Sequence, residues 1–243
     1  MVVMASEDYI QGLIGLAQML KESGTYRRLI VLSSVESSNL NLVAPVYKFQ
    51  VVKIPAVPNP RDNSTVLKQL SFTKLFIFGL GHLSKVVFLD LDLLVVDNID
   101  ELFEVPDFAA APDGFPPTMF NSGVMVLTPS QALLEDMLVH VPMLPSYDDG
   151  DQGFLNSYFD DWFTGDPRRR LHPRYNTKGS FWCYNRWGME AIKPHKIMHF
   201  AGCTMKPWQS DKYGFDKKVY HADWQKFFDR GYAFLTKSLN ERR

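Results

Sequence analysis

The run Val86-Val87-Phe88-Leu89-Asp90-Leu91-Asp92-Leu93-Leu94-Val95-Val96 constrains this chain more than any other stretch. A short segment so rich in Val and Leu reads as a strand covered on both faces, as in a parallel sheet between helices. Burying two carboxylates in such a run is costly unless positive charge meets them. Residues i and i+2 of a strand project to one side, so Asp90 and Asp92 can share a partner. A divalent cation at the strand's carboxyl end keeps both ionised. Hard oxygen ligands suit Mg²⁺ or Mn²⁺. The plain alternative is a pair of turn aspartates that end the strand.

The pattern on either side supports the sheet. Val2-Val3-Met4 predicts a first strand, and Ser6 a cap for a helix over Glu7–Lys21 that Gly24 closes. Leu29–Leu32 predicts a second strand, Ser33–Asn41 a loop, Phe49–Ile54 a third strand, and Val66–Phe78 a helix. Strand, helix, strand at this spacing begins a parallel βαβ sheet, so the fold class is α/β. Downstream, Gly123–Leu127 predicts a buried strand, Pro129 opens a helix to Val139, and Asp149–Tyr158 predicts a helix. Ile197–Phe200 predicts a last strand and Ala222–Leu239 a terminal amphipathic helix. Arg168-Arg169-Arg170 reads as a solvated turn.

The totals exclude several function classes. The 243 residues carry a net charge of −1, which gives no electrostatic case for nucleic acid or anionic membrane. Hydrophobic residues make up 46% and charged residues 22%, as in an ordinary globular chain. The two cysteines, Cys183 and Cys203, fit no zinc or redox spacing. No apolar stretch approaches the ~20 residues of a membrane span. Met1-Val2-Val3-Met4 runs straight into Ser6-Glu7-Asp8 without a signal-peptide pattern. The expectation is a cytoplasmic protein as the chain stands, or a Golgi-lumenal catalytic domain trimmed from a longer membrane protein.

Four polar pieces stand out. Phe120-Asn121-Ser122-Gly123 leads into a buried strand, so its polar side chains are expected at the strand's mouth. Asp148-Asp149-Gly150-Asp151-Gln152-Gly153 places carboxylates and an amide at a helix start. N-capping accounts for one aspartate there but not for three with a glutamine. His199-Phe200-Ala201-Gly202 ends a strand with an imidazole, which is otherwise a structural histidine. Lys206-Pro207-Trp208 offers a cation beside a glycine-containing loop, or else a surface lysine next to a packed tryptophan.

These pieces stand in the order found in the glycogenin-type branch of the family-8 retaining glycosyltransferases, which the chain resembles. They are Glu7-Asp8-Tyr9, Thr73-Lys74-Leu75, Leu89-Asp90-Leu91-Asp92, Asn121-Ser122-Gly123, Gly150-Asp151-Gln152-Gly153, and His199 through Gly202 to Lys206-Pro207-Trp208. Residues 121–159 are similar to the plant and fungal glucuronosyltransferase relatives of glycogenin. The resemblance implies a single GT-A domain over 1–243, with a Rossmann-like, mixed but mostly parallel central sheet flanked by helices. The nucleotide part would span about 1–95 and the sugar and acceptor part about 96–243. It implies transfer of a hexose or hexuronic acid from a UDP-sugar to the hydroxyl of a glycan, glycolipid or protein. A homodimer is among the implied partners.

Residue by residue, the resemblance gives Asp90, Asp92 and His199 to Mn²⁺, and Lys206 and Gly202 to the diphosphate. Leu91 and Ser122 would border the donor. Tyr9 would lie on the uracil, with Ala5 and Leu70 lining its pocket. Lys74, Asn121, Asp148, Asp151 and Gln152 would surround the sugar, with Asp151 or Gln152 nearest the anomeric carbon. Retention takes either a covalent glycosyl-enzyme or front-face attack. Three departures stand out. Leu91 replaces the usual alanine, Thr65 stands where glycogenin has an arginine, and the histidine-to-lysine spacing is one residue longer. A self-glucosylating primer is an alternative, but glycogenin's self-glucosylated tyrosine falls near Cys183 and Tyr184 with the alignment slipped by a residue, which leaves self-glucosylation unsupported. A nucleotide-sugar-binding module without turnover is another. A phosphoryl transferase is disfavoured, because no G-x-x-x-x-G-K-[ST] loop is present.

Overall fold

The computed structural model describes residues 1–4, 7–60, 71–114, 116–178, 193–201, 206–209 and 219–242. The chain opens with β1 (Val2–Met4), a 3₁₀ turn at Glu7–Tyr9, α1 (Ile10–Glu22), β2 (Ile30–Ser33), α2 (Ser38–Tyr47) and β3 (Gln50–Lys53). A 3₁₀ helix at Ser71–Gly79 leads to β4 (Val86–Leu89) and β5 (Leu93–Val95). After a 3₁₀ turn at Asp100–Glu104 come β6 (Ala109–Pro112), β7 (Phe120–Leu127), α3 (Gln131–His140) and α4 (Asp151–Tyr158). Short 3₁₀ turns at Pro167–Arg169 and Pro173–Tyr175 precede β8 (Thr177–Lys178), β9 (Ile197–His199) and α5 (Val219–Asn240). No described helix is long and apolar enough to cross a membrane.

The central sheet has the order β3-β2-β1-β4-β7-β6. Its first four strands run parallel, and β7 and β6 add antiparallel pairings. This is the mixed, mostly parallel α/β sheet that the resemblance implies. Alternation sorts its side chains into two cores. Val87 and Leu89 of β4 and Val124 and Val126 of β7 join α1, α5 and β5 on one face. Val86, Phe88, Met125 and Leu127 join the 71–79 helix, α3 and α4 on the other. A second sheet, β5-β9-β8, lies beyond the carboxyl end of β4.

Two expectations change here. The run from Val86 to Val96 is not one strand: β4 stops at Leu89 and β5 begins at Leu93 in the other sheet. The break falls on Asp90-Leu91-Asp92, where burying carboxylates along a continuous ladder would cost most. The side-to-side parity still persists. Leu91 packs in the α1-side core with Val87 and Leu89, which leaves Asp90 and Asp92 on the other parity. The second change is α2, in a region expected to be loop as far as Asn41. Ser37 caps it, its Oγ accepting from the Leu40 amide at 3.1 Å, and Leu40, Val43 and Val46 are its buried stripe. The same serine-rich composition that suggests a loop therefore supplies a helix cap. Residues 61–70, including the first turn of the expected Val66–Phe78 helix, lie outside the described residues, and Ser71–Gly79 is 3₁₀.

Candidate functional site

The break between β4 and β5 is stitched to both sheets. The Asp90 amide donates to the Gly123 carbonyl on β7 at 2.8 Å, and the Phe200 amide, just past β9, donates to the Asp92 carbonyl at 3.0 Å. Backbone pairing thus sets both aspartates at the seam and brings in His199 from the end of β9, where Leu93 pairs with His199. His199 Nε2 stands 3.2 Å from Asp92 Oδ1 and 3.7 Å from Asp90 Oδ2. One ligand atom from each of the three lies within 4.8 Å of the others, so the group can hold a metal ion. Two carboxylate oxygens and an imidazole nitrogen are a donor set that Mn²⁺ accepts.

Glycine makes the histidine's place. A Cβ on Gly123 would fall 2.1 Å from His199 Cε1, so the ring rests directly on the β7 backbone. On the opposite side Gly12 of α1 would carry a Cβ 2.7 Å from the Trp208 ring and 3.0 Å from the Leu91 carbonyl. That close approach seats α1 against the acidic break. Tyr9, at the entrance to α1, meets Trp208 edge to face with ring centroids 5.3 Å apart.

Two lysines meet the carboxylates. Lys206 Nζ lies 2.6 Å from Asp92 Oδ2. Lys74 Nζ, from the 71–79 helix, lies 3.2 Å from Asp90 Oδ1 and 2.9 Å from Asp151 Oδ2. Burial pushes the Asp92 carboxyl up, but His199 and Lys206 outweigh it and hold Asp92 well below the usual carboxylate range. Burial holds the Asp90 carboxyl above that range, with Lys74 pulling against it and the like charge of Asp92 adding to it. Burial lowers both ammoniums, and the carboxylates beside them more than reverse this: Asp151 and Asp90 for Lys74, Asp92 for Lys206.

Lys74 also links the acidic pair to the start of α4. Asp151, the first residue of that helix, accepts from Ser122 Oγ at 2.9 Å as well as from Lys74. Asn121 and Ser122 do not precede β7, as the sequence suggests, but are built into it. Asn121 Nδ2 donates to Gln152 Oε1 at 2.5 Å. Asp148 stands just outside the helix: its Oδ1 accepts from Ser146 Oγ, the Gly150 amide and the Gly153 amide, at 2.9, 3.0 and 2.9 Å. It thereby ties the loop that presents Asp151. The structure therefore brings Lys74, Asp90, Asp92, Asn121, Ser122, Asp151, Gln152, His199 and Lys206 to one sheet end, with Tyr9 behind Trp208 and Leu91 in the core. Ala5, Leu70 and Gly202 lie outside the described residues, as do Thr65, Cys183 and Tyr184.

Two buried polar residues of the site carry no sequence signal. Asn176, just before β8, is 3% exposed and touches both Asn121 and His199. Asp113, in the loop between β6 and β7, is 8% exposed and accepts from Gln152 and Lys178. Neither sits in a motif or a hydrophobic period. Only the bringing together of β6, β7, β8 and α4 marks them.

This arrangement of sheet and helices is that of the GT-A glycosyltransferases. The galactosyltransferase LgtC, solved with donor and acceptor sugar analogs, superposes with a TM-score of 0.70 at 17% identity, covering 94% of this chain and 95% of that one. The apo-form glycosyltransferase GlyE of Streptococcus pneumoniae TIGR4 gives 0.70 at 19% identity, covering 99% of this chain and 63% of that one. The profile described as "Glycosyl transferase family 8" matches residues 16–212, and the chain belongs to that family. Among similar proteins, the putative UDP-glucuronate:xylan alpha-glucuronosyltransferase 5 of Arabidopsis thaliana is 32% identical over 93% of this chain and 41% of its own length. Glycogenin-1 of Caenorhabditis elegans is 37% identical over 89% of this chain and 54% of its own length. Glycogenin-2 of Homo sapiens is 37% identical over 85% of this chain and 43% of its own length. The chain thus spans about half the length of these relatives.

Proposed function

We propose that this chain is a Mn²⁺-dependent retaining glycosyltransferase that moves a hexose or hexuronic acid from a UDP-sugar to an acceptor hydroxyl. The observation that carries the reading is the meeting of Asp90, Asp92 and His199 with Lys74 and Asp151 at one sheet end. The cation held by those three residues would neutralise the charge growing on the departing diphosphate. Lys206, already in the site on Asp92, supplies a second positive group for that leaving group. Asp151 supplies a carboxylate on the sugar side, where positive charge develops at the anomeric carbon. Lys74 fixes that carboxylate relative to the acidic pair. Asn121 and Gln152 orient the sugar pocket, Asp148 shapes its loop, and Tyr9 forms the uracil side.

In this reading the nucleotide part spans about 1–95 and the sugar and acceptor part about 96–243. The similarity to the Arabidopsis UDP-glucuronate:xylan glucuronosyltransferase supports a UDP-linked donor and a glycan acceptor. The test is a screen of UDP-glucose, UDP-glucuronate, UDP-xylose and UDP-galactose for Mn²⁺-dependent UDP release. Release from one of them, abolished by chelator, is the expected result. Tight UDP-sugar binding with no release from any would make the chain a binding module.

A further inference from the structure

The orientation of every amide around His199 follows from two fixed ends. At one end is the Gly123 backbone amide, which can only donate, and it donates to Asn121 Oδ1 at 3.0 Å. Asn121 therefore presents its oxygen on that side and its Nδ2 to Gln152. The group of Asn176 that faces Asn121 Oδ1 at 2.8 Å must then be its NH₂. That leaves the Asn176 carbonyl oxygen facing His199 Nδ1 at 2.8 Å, so Nδ1 carries the hydrogen and donates. Nε2 is left toward Asp92 and Asp90. At the far end the Gln152 NH₂ donates to the Asp113 carboxylate at 2.8 Å, and a carboxylate can only accept. No amide in the relay can be flipped without setting donor against donor or acceptor against acceptor. His199, Asn176 and Asn121 are each buried, at 3%, 3% and 5% exposure, so a broken link has no water to replace it.

We infer that Asn176 is the positioning residue of the cation site. Its carbonyl fixes the tautomer and angle of His199 so that Nε2 faces the metal, and its NH₂ couples that histidine to the Asn121–Gln152 pair on the sugar side. The inference rests on the reading of Asp90, Asp92 and His199 as the cation site. A partner on the second nitrogen of a ligating histidine raises its basicity and holds its ring, and losing one costs 10–100-fold in metal affinity or activity.

The two halves of the amide separate by substitution. Asn176→Leu removes both. Asn176→Asp keeps an acceptor for His199 Nδ1 but sets a carboxylate oxygen against Asn121 Oδ1. Mn²⁺ is titrated calorimetrically into each purified protein at saturating UDP, with melting temperature measured on the same preparation. The expected result is Mn²⁺ affinity lowered roughly 10–100-fold in Asn176→Leu and held within about threefold of the parent in Asn176→Asp, although both melt lower. Asn156→Ala is the control: that amide serves the Phe120 backbone and the Gln152 carbonyl, so its loss lowers the melting temperature and leaves Mn²⁺ affinity unchanged. Parent-like affinity in Asn176→Leu overturns the inference and leaves the cation site standing. If that variant does not fold, Asn176→Asp decides, and a loss of affinity there beyond tenfold overturns it. A parent that binds no Mn²⁺ overturns the cation site itself, and the inference with it.

Discussion

Asp151 and Gln152 are neighbours in the chain, yet their functional groups are spent differently. The Gln152 oxygen receives Asn121 Nδ2 at 2.5 Å and the Ser122 amide at 3.3 Å, and its nitrogen donates to Asp113 at 2.8 Å and Tyr147 Oη at 2.6 Å. An amide so engaged has no lone pair to offer an anomeric carbon. Asp151 uses Oδ2 for Lys74 and Ser122, while Oδ1 has no hydrogen-bond partner among the described residues. Asp151→Ala is therefore expected to lower kcat by roughly two orders of magnitude, the scale of a lost electrostatic contact in the transition state, with donor affinity little changed. Gln152→Ala should act mainly on stability. It strands buried partners at about 1–3 kcal/mol, a fall of several degrees in melting temperature for a chain of this size. Measuring kcat and melting temperature on both variants separates the roles, and a normal kcat in Asp151→Ala would remove it from the chemistry. Asp92→Asn keeps the shape of the side chain and loses its charge, so turnover should vanish in a folded protein. Full activity with Mn²⁺ present would refute the ligand assignment.

At the scale of the element, β7 does the most to build the site. It brings Asn121 and Ser122, accepts the Asp90 amide, and gives His199 a bare backbone to lie on at Gly123. Gly123→Ala should push the imidazole out of line and weaken Mn²⁺ binding at least tenfold, on the scale of a lost orienting contact. An unchanged calorimetric affinity would mean the ring has room to move. Far from the site, α1 and α5 are joined by Glu22 and Arg230, whose carboxylate–guanidinium contacts measure 2.8 and 2.7 Å. Arg230's hydrogen bond holds the Glu22 carboxyl below its usual range. The stability it gives is present above the unfolded value and is lost as pH falls through the folded one. The pair is partly exposed, so the amount is under about 1 kcal/mol. Glu22→Gln should melt slightly lower than the parent at neutral pH and converge with it below pH ~4. A gap that stays constant from neutral to acid would show that the charge contributes nothing.

These elements also show what the sequence could carry. Val and Leu periodicity located β1, β2, β4 and β7, because buried strands write their faces into composition. The acidic pair was legible because carboxylates in an apolar run demand an explanation. The division of Val86–Val96 between two sheets was not, since apolarity marks burial and not the partner strand. Helix α2 was hidden for the opposite reason, its cap residues being those of loops. Asn176 and Asp113 were invisible because their role depends on contacts over long separations, Asn176 to Asn121 and Asp113 to Gln152.

For the whole molecule, the carboxylates of the candidate cation site are met by positive groups the fold already provides. Lys206 sits on Asp92, and Lys74 on Asp90 and Asp151. Two carboxylates facing each other, Asp92 buried and Asp90 partly so, would strain the seam between the two sheets without such partners. With them, the fold is expected to stand without a metal, unlike a chain folded around a structural ion. Chelator alone should therefore leave the melting temperature unchanged. Mn²⁺ and UDP together bind only the folded state, and at about 100 times the dissociation constant such binding adds roughly 2.7 kcal/mol. For a chain of this length that is a rise of about 5–10 °C. Lys206→Ala should keep the rise small even with Mn²⁺ present. It removes both the group that compensates Asp92 and the positive charge proposed for the diphosphate. The discriminating measurement is the melting temperature of the parent, Asp92→Asn and Lys206→Ala, each with chelator, with Mn²⁺ alone, and with Mn²⁺ plus UDP. A parent that loses its fold on chelation would make the cation structural. A full rise in Asp92→Asn would place the nucleotide somewhere other than the seam between β4 and β5.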